Sequence, residues 1–544
     1  MSHLNRRAFL GYSTLATAGL FTDGLLVPAW AQDTRGLPAT PAIQTNAGRV
    51  RGVVRFGVSQ FFGVPYGAST AGANRFMPPV KPAPWSGVRD CVQVGNRSPQ
   101  DPDGPISEVF ALDRQEPMSE DCLNLNVFTP STGSGNRPVM VWLHGGGFSS
   151  ASGNWLLYDG TNLARKEDVV VVSVTHRLNL FGFLHLADLG EKWANAGNAG
   201  MQDIVAALQW VRENIAAFGG NPANVTVFGQ SGGGGKVTTL MAMPSAQGLF
   251  HRAIAMSGSA LRGATRESAT RAAEQFLTKL GIPRNQVDRI QQVPMQQLQQ
   301  AFYSEPRIQG LGGGPVVDGR SLPRDQWTPT APDASASVPL MMGSTETEDA
   351  WSDPPPPLEM AEDEMVTRVR RIARNDEAKA RELIALYRRT HKGISNTDVW
   401  LIMNSDNTRR ANAQLLGELK LAQGKAASYL YYFAWRSPVH KGQMKAYHTL
   451  DIPFAFYNVD LAASMTGAMQ ERYALAHRMS AAWAAFARTG NPNHADLPGW
   501  PAFSAAYPTM VLGNECRVVN DPNKEERLAL KAIRDAAVTT TAGL

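Results

Sequence analysis

The sequence predicts an α/β fold with a mostly parallel central sheet and helices on both of its faces. Short runs rich in β-branched residues are typical of strands that are buried on both sides. They include Val139–Leu143, Val169–Val174, Val225–Phe228, Ile254–Ala255, Val338–Met342 and Tyr429–Trp435. Helical patterns separate these runs, and strands that alternate with helices indicate a sheet covered on both sides.

Two helices are clearest between these strands. From Met201 to Phe218 and from Glu471 to Arg488, apolar residues recur at helical spacing and a glycine follows the last turn. Segments 264–305 and 358–425 also carry helix signals. We interpret them as helical insertions that leave the sheet and form a gorge wall or a lid.

Composition excludes several classes of protein. The chain has 544 residues, of which 43% are hydrophobic, close to the ordinary share, and 18% are charged, below the roughly 25% typical of globular domains. Its net charge is 52 − 47 = +5, and it has no basic block of the kind that binds nucleic acid. Three cysteines without a C-x-x-C pair exclude a disulfide-dense scaffold and give no zinc-ligand spacing.

The first 31 residues are predicted to be an export signal. Arg6-Arg7 precedes a short apolar stretch, and Ala29-Trp30-Ala31 supplies the small residues of a cleavage site before Gln32. A twin arginine in this setting indicates export of a folded protein to the periplasm or beyond. Residues 32–544 are expected to form a single domain without a membrane span, because no other segment reaches about 18 apolar residues.

A nucleophile motif follows the strand at Val225–Phe228. The strand continues into Gly229-Gln230-Ser231-Gly232-Gly233, a G-x-S-x-G pattern, and a stretch compatible with a helix comes next. A serine on a sharp turn between strand and helix presents its hydroxyl for attack on a carbonyl group. Ser231 is therefore the candidate nucleophile.

The glycines after this serine also suggest a phosphate-binding loop, because Gly232–Gly235 precede Lys236. That loop requires glycine where Gln230 stands and serine or threonine where Val237 stands. Both requirements fail, so we reject a nucleotide site.

A glycine loop follows the strand at Val139–Leu143. The sequence there is His144-Gly145-Gly146-Gly147-Phe148. Attack on an ester places negative charge on the carbonyl oxygen, and preorganised backbone N–H groups stabilise that charge. Together with the serine motif, this loop predicts an esterase-type site. His144 is expected to shape the loop rather than to transfer protons.

These motifs and several others make the chain resemble the type-B carboxylesterases, which have the α/β-hydrolase fold. The resemblance extends over nearly all of the chain after residue 31. Besides the two motifs above, it rests on Phe62–Tyr66, Arg75-Phe76, Ser119–Val127, Asn198–Asp203, Phe218–Pro222, Gly490–Asn493 and Trp500-Pro501.

The resemblance implies a catalytic triad of Ser231, Glu348 and His448. The family's spacing after the strand at Val338–Met342 falls on Glu348 as the acid, with Glu346 and Asp349 as local rivals. His448 lies in a segment similar to the histidine region of the family. The oxyanion donors that the family implies are the backbone N–H groups of Gly146, Gly147 and Gly232.

The resemblance also implies supporting residues and departures from the family pattern. Ser257 and Asp451 are expected to buttress the triad. Gln230 stands where the family commonly has glutamate, so we expect a weak preference for cationic substrates. Cys122 matches a family cysteine whose usual partner position is Ser98.

Cys91 is near enough in the sequence to replace that partner. A Cys91–Cys122 bridge would suit the periplasm. Two buried reduced thiols are the alternative, and the sequence leaves both open.

The predicted function is hydrolysis of carboxylic esters by a serine through an acyl-enzyme. Short- to medium-chain or aryl esters are the expected substrates, and no cofactor, metal or nucleic acid is implied. The chain is expected to be a monomer or a weak homo-oligomer. One alternative is a catalytically silent binding or adhesion protein on the same fold. Another is a specialised hydrolase of carbamates, phenolic esters or polyester fragments.

Overall fold

The computed structural model describes residues 34–101, 116–133, 135–351 and 356–541, so the predicted export signal lies outside the described residues. From Thr34 onward the chain groups into one compact unit. The strands of the described part are β1 (Ile43–Gln44), β2 (Arg49–Arg51), β3 (Val53–Arg55), β4 (Val58–Pro65), β5 (Val88–Asp90), β6 (Asn124–Thr129), β7 (Arg137–Leu143), β8 (Val170–Val174), β9 (Gly220–Gln230), β10 (Arg252–Met256), β11 (Ala264–Thr265), β12 (Val316–Val317), β13 (Leu340–Thr345), β14 (Ser428–Phe433), β15 (Pro508–Leu512) and β16 (Arg517–Asn520).

Eleven of these strands form one sheet, in the order β16-β15-β14-β13-β10-β9-β7-β8-β6-β4-β3. The seven adjacent strands from β15 to β8 run parallel to one another. The strands outside them, β16 at one edge and β6, β4 and β3 at the other, pair antiparallel with their neighbours. The predicted mostly parallel sheet and α/β-hydrolase fold are therefore confirmed.

Alternating side chains of the central strands supply two separate cores. In β7, Val139, Val141 and Leu143 pack on one face of the sheet, while Met140 and Trp142 pack on the other. All five are fully buried. This two-sided burial is why the strand is an almost unbroken apolar run.

The helices cover both faces of this sheet. They are α1 (Thr161–Glu167), α2 (Asn179–Phe183), α3 (Ala199–Asn214), α4 (Gly232–Leu240), α5 (Arg266–Lys279), α6 (Met295–Tyr303), α7 (Glu362–Ile372), α8 (Glu377–Thr390), α9 (Asn396–Ser405), α10 (Ala411–Gln423), α11 (Ile452–Ala455), α12 (Ala463–Thr466), α13 (Glu471–Thr489) and α14 (Lys524–Thr541). The predicted helix from Met201 to Phe218 corresponds to α3 and a 3₁₀ turn at Ile215–Phe218. A π-helical turn at Asp406–Arg410 joins α9 to α10. No helix of the described residues is long and apolar enough to cross a membrane.

The helical segment 358–425 is only in part an excursion from the sheet. Its first helices, α7 and α8, bury their apolar faces against α9 and α14 in a cluster of their own. Helix α10 instead packs on the sheet, where Ala413 and Leu416 join the same core as β7 and β9. The segment therefore returns to the sheet at its second half.

Strand β8 lies on one side of β7 and β9 lies on the other, so the order in which the chain adds strands to the sheet reverses at this point. Ligand sites of open α/β sheets form at such a switch point, outside the carboxyl ends of the strands. Here β7 ends at the glycine loop and β9 ends at Ser231.

Candidate active site

Ser231 occupies a strained turn between β9 and α4. Its backbone has φ 58° and ψ −123°, outside the regions that an L-residue ordinarily adopts. The Ser231 N–H donates to the carbonyl of Met256 at the end of β10 at 2.8 Å. The turn therefore holds Ser231 at the carboxyl end of β9, and the neighbouring strand β10 fixes its backbone.

The glycine loop after β7 lies against the start of α4. Gly146 and Gly147 have φ of 77° and 61°, which side chains other than glycine rarely adopt. A Cβ on Gly232 would lie 2.2 Å from the Gly147 carbonyl oxygen, so the two backbones meet without room for a side chain.

The backbone N–H groups at this contact are free to bind an anion. Among the described residues, neither Gly146 N–H nor Gly147 N–H donates to a backbone carbonyl or to a side chain. The N–H of Gly232 opens α4, where first-turn N–H groups have no partner within the helix. The three expected oxyanion donors thus come from two elements in direct contact.

Glu348 is the acid whose carboxylate contacts the candidate histidine. His448 Nδ1 lies 2.5 Å from Glu348 Oε2, and the His448 N–H donates to the Glu348 carbonyl at 3.1 Å. The other carboxylate oxygen accepts from the Thr345 N–H at 2.9 Å. Both side chains are buried, so the pair is held on a fixed frame.

The two rival acids have other partners. Glu346 Oε2 accepts from Arg436 Nε at 2.7 Å, in an ion pair near the surface. Asp349 accepts a hydrogen bond from Asn404.

Electrostatics keep Glu348 ionised and His448 neutral. Burial would raise the pKa of Glu348, but the charge and hydrogen bond of His448, followed by Arg409, outweigh burial and hold that pKa below its usual range. Burial lowers the pKa of His448 against the raising effect of Glu348, and Arg409 lowers it further. A neutral imidazole beside a carboxylate can accept a proton from a hydroxyl group.

Arg409 and Ser405 are contacts of the acid that the sequence patterns did not reveal. Arg409 Nε lies 3.4 Å from Glu348 Oε2, and its Nη1 donates to the Ser257 carbonyl at 3.1 Å. Ser405 Oγ accepts from the Glu348 N–H at 2.8 Å. Both lie at the α9–α10 junction, and the π-helical turn there is the kind of signal that often marks a functional site.

Ser257 and Asp451 are both near the acid, but they act on it differently. The buried Ser257 hydroxyl has no hydrogen bond of good geometry among the described residues, yet it helps to lower the pKa of Glu348. Asp451 accepts from the Tyr431 hydroxyl at 2.9 Å. Burial, followed by the charge of Glu348, raises the pKa of Asp451 to about 7.

Gln230 lies against the imidazole. Its Nε2 is 3.3 Å from both His448 Nδ1 and His448 Nε2, so the amide lies beside the ring rather than binding one nitrogen. Among the described residues, no hydrogen bond joins Ser231 Oγ to His448. Catalytic hydrogen bonds are often long in the absence of substrate and tighten in the complex.

Of the two alternatives for Cys91 and Cys122, the structure has the free thiols and not the bridge. Both residues are free, buried thiols in the core that also contains β7 and β9. Burial raises the pKa of Cys91 to about 12 and also raises that of Cys122, while a hydrogen bond with Ser98 lowers the latter. The serine at the usual partner position thus lies beside Cys122, and burial disfavours the reactive thiolate form of both cysteines.

Comparisons with known proteins identify the family of the chain. Residues 39–530 match the model of the carboxylesterase family. The para-nitrobenzyl esterase of Bacillus subtilis is 36% identical over 496 residues, which cover 90% of this chain and 98% of that protein.

Solved structures give the same result. A carboxylesterase of Geobacillus stearothermophilus has a TM-score of 0.77 and 36% identity, with 90% of this chain and 100% of that chain covered. An esterase of Clostridium hathewayi, described as able to hydrolyse aliphatic aromatic polyesters, has a TM-score of 0.80 and 34% identity, with 91% and 98% covered.

Fold and site together define a serine hydrolase with the α/β-hydrolase fold. The chain belongs to the carboxylesterase family. It is a carboxylic-ester hydrolase, as the sequence predicted.

Proposed function

We propose that the chain hydrolyses esters through an acyl-enzyme on Ser231, with His448 as general base and Glu348 as its partner. The contact of 2.5 Å between His448 Nδ1 and the ionised Glu348 is the observation that carries this proposal. It orients the ring so that Nε2 is the nitrogen left to accept a proton.

Acylation begins when Ser231 Oγ attacks the ester carbonyl carbon while His448 Nε2 takes the hydroxyl proton. The carbonyl oxygen becomes an anion, which the N–H groups of Gly146, Gly147 and Gly232 bind. His448 then carries a positive charge that Glu348 stabilises at Nδ1. The bond to the alcohol breaks as His448 returns the proton to the departing oxygen.

Deacylation repeats these steps with water. His448 takes a proton from water, the hydroxide oxygen bonds to the acyl carbon, and the acid leaves as the proton returns to Ser231 Oγ.

The substrates we propose are uncharged short- to medium-chain or aryl esters. Gln230 places a neutral amide beside His448, where glutamate would add a negative charge for a cationic alcohol group. Polyester fragments are a narrower option, supported by the likeness to the Clostridium hathewayi esterase.

Hydrolysis of p-nitrophenyl acetate, butyrate and octanoate by the chain from Gln32 tests this proposal. Ser231→Ala is expected to abolish turnover, and an organophosphate should label the wild type but not this variant. Ser268→Ala, which removes a hydroxyl at the surface end of α5, serves as the control and should stay fully active. Substantial turnover by a folded Ser231→Ala protein would refute the acyl-enzyme.

We further propose that residues 1–31 direct export of the folded chain by the twin-arginine route. The pair Arg6-Arg7 and the cleavage site at Ala29–Ala31 support this proposal.

Fractionation of a bacterium that expresses the full chain tests export. Esterase activity is expected in the periplasm for the wild type and in the cytoplasm for Arg6→Lys/Arg7→Lys. Equal periplasmic activity of the two chains would contradict the proposed route.

A further inference from the structure

A buried lysine lies behind the glycine loop and has no role in the mechanism above. Lys236 is on the second turn of α4, five residues after Ser231, and is fully buried. Its Nζ donates to the carbonyl of His144 at 2.8 Å. His144 is the residue at which the chain leaves β7 and enters the loop, so this side chain ties the nucleophile helix to that loop.

The two elements that Lys236 joins are the two sources of oxyanion donors. Gly232 belongs to α4, whereas Gly146 and Gly147 belong to the loop. Since a Cβ at Gly232 would lie within 2.2 Å of the Gly147 carbonyl oxygen, small shifts of either element change the spacing of the three N–H groups. A hydrogen bond between α4 and the first residue of the loop restrains such shifts.

No acid balances the charge of Lys236 within the described residues. Its side chain forms no ion pair there; the Phe148 ring lies 5.9 Å away, and the titratable rings of His144 and His176 are near enough to sense its charge. Burial, followed by the charge of Lys236, lowers the pKa of both histidines, so neither competes as a cation. Beyond His176, Arg177 is already paired with Asp203.

We propose that Lys236 is a positioning residue of the oxyanion hole: its ammonium fixes the glycine loop against α4 and adds positive potential behind the developing oxyanion. The inference rests on the proposed acyl-enzyme mechanism. A cation in a water-excluded site favours an anion formed nearby more strongly than it would in water. Ground-state esters carry no such charge, so the benefit should fall on the transition state.

Lys236→Met tests the inference through kcat, KM and the affinity for an aryl trifluoromethyl ketone. When this ketone binds, Ser231 Oγ bonds to its carbonyl carbon, the serine proton moves to His448, and the ketone oxygen becomes an oxyanion. We expect kcat to fall on the order of 10- to 100-fold, less than the loss of a direct donor costs. KM should change little, and affinity for the ketone should fall by about the same factor as kcat.

Two further variants separate positioning from mere stability. Thr239→Val removes a buried hydroxyl whose partner among the described residues is Gly235 O, in the same helix at 2.8 Å, and should leave kcat unchanged. Lys236→Gln keeps a donor toward His144 without the charge, and it replaces the methionine variant if that one does not fold. Its kcat is expected between those of wild type and Lys236→Met.

The pH dependence reports on the charge alone. Burial lowers the pKa of Lys236 to about 7, so the ammonium is present below that pH and lost above it. The ratio of kcat/KM between wild type and Lys236→Gln should be greatest near about pH 6 and smaller above about pH 8.

Three results would overturn the inference. They are kcat of Lys236→Met within about twofold of wild type, a lower kcat with undiminished affinity for the ketone, and a ratio to Lys236→Gln that does not change with pH. A wild-type chain that neither hydrolyses the esters nor binds the ketone would contradict the proposed function as well.

Discussion

The acid side and the oxyanion side of the site treat buried charge in opposite ways. Glu348 is surrounded by groups that stabilise its negative charge: His448, Arg409 and the Thr345 N–H. Lys236 is equally buried, but its ammonium has one neutral carbonyl as its hydrogen-bond partner in the described part of the chain. The charge of Glu348 is therefore balanced before substrate arrives, whereas the charge of Lys236 is not.

This difference fits the direction in which charge moves during ester hydrolysis. On the acid side a positive charge appears on His448, next to a carboxylate already held in place. On the oxyanion side a negative charge appears on the substrate oxygen, and the ammonium of Lys236 gains a nearby opposite charge only in the transition state. The asymmetry explains how the site can favour the transition state over the bound ester.

The largest expected effect is on the acid side. Glu348→Gln should lower kcat for p-nitrophenyl butyrate by about 10³- to 10⁴-fold, because the amide no longer stabilises the imidazolium or its tautomer. Glu346→Gln is the matched control, since that acid pairs with the half-exposed Arg436 and should cost less than about threefold. The reverse order of the two variants would show that Glu346 is the acid.

The oxyanion side can be broken without touching a charge. Gly232→Ala should lower kcat by about 10- to 100-fold, because its Cβ would push the Gly147 carbonyl and the loop away from α4. Gly235→Ala lies on the same helix, with the nearest contact of a new Cβ at 3.6 Å from Phe148, and should remain active. Equal activity of both alanine variants would mean that the close approach at Gly232 does not determine the positions of the N–H groups that bind the oxyanion.

Arg409 sharpens the comparison because it adds a cation to the acid side. Its charge lowers the pKa of His448, so Arg409→Met should raise that pKa and move the acid limb of the kcat/KM profile to higher pH. We expect kcat at alkaline pH to fall only severalfold, since His448 still contacts Glu348. Arg381→Met, which breaks an exposed pair within α8, should leave the profile in place, and an unmoved limb in Arg409→Met would contradict the assignment.

Asp451 should give the smallest effect on catalysis and a clear one on stability. Its pKa is raised from 3.8, the value in the unfolded chain, to about 7 in the folded protein. The protonated carboxyl group therefore contributes stability that is fully present below pH 3.8 and is lost as the pH rises through about 7. Asp451→Asn, which can still accept from Tyr431, should therefore unfold at higher urea than wild type at about pH 9 and not at about pH 4. Asp460 also accepts a hydrogen bond from a tyrosine, but at the surface, so Asp460→Asn should show no such dependence on pH. The same pH dependence in both variants would contradict a destabilising charge on buried Asp451.

The sequence patterns located the parts of the site that lie at strand ends. Val225–Phe228 and Val139–Leu143 are apolar runs followed by glycines, and such local patterns determine both the strand and the turn that follows it. The acid was separable from Glu346 and Asp349 only by its resemblance to the family, because all three occupy one short loop. The sequence left open whether Cys91 and Cys122 form a bridge, since proximity along the chain does not fix whether two thiols meet. The structure has both as free thiols.

Lys236 and Arg409 could not be assigned from the sequence. Each contacts a residue far away in the chain: 92 residues separate Lys236 from His144, and 152 separate Arg409 from Ser257. Helical spacing shows only that these side chains lie on helices, and an exposed cation is the ordinary expectation for either. The register of the sheet, which emerges only on folding, decides that one is buried and that the other reaches the acid.

The order of the strands has a consequence for folding. The groups of the site follow β7, β9, β13 and β14, and β14 pairs with β13 in parallel, which requires a long connection. Such non-local pairings form slowly compared with helices. When the denatured chain is diluted into buffer, esterase activity should therefore return later than the helical signal in circular dichroism, and the enzyme's own turnover becomes a measure of when its sheet is complete.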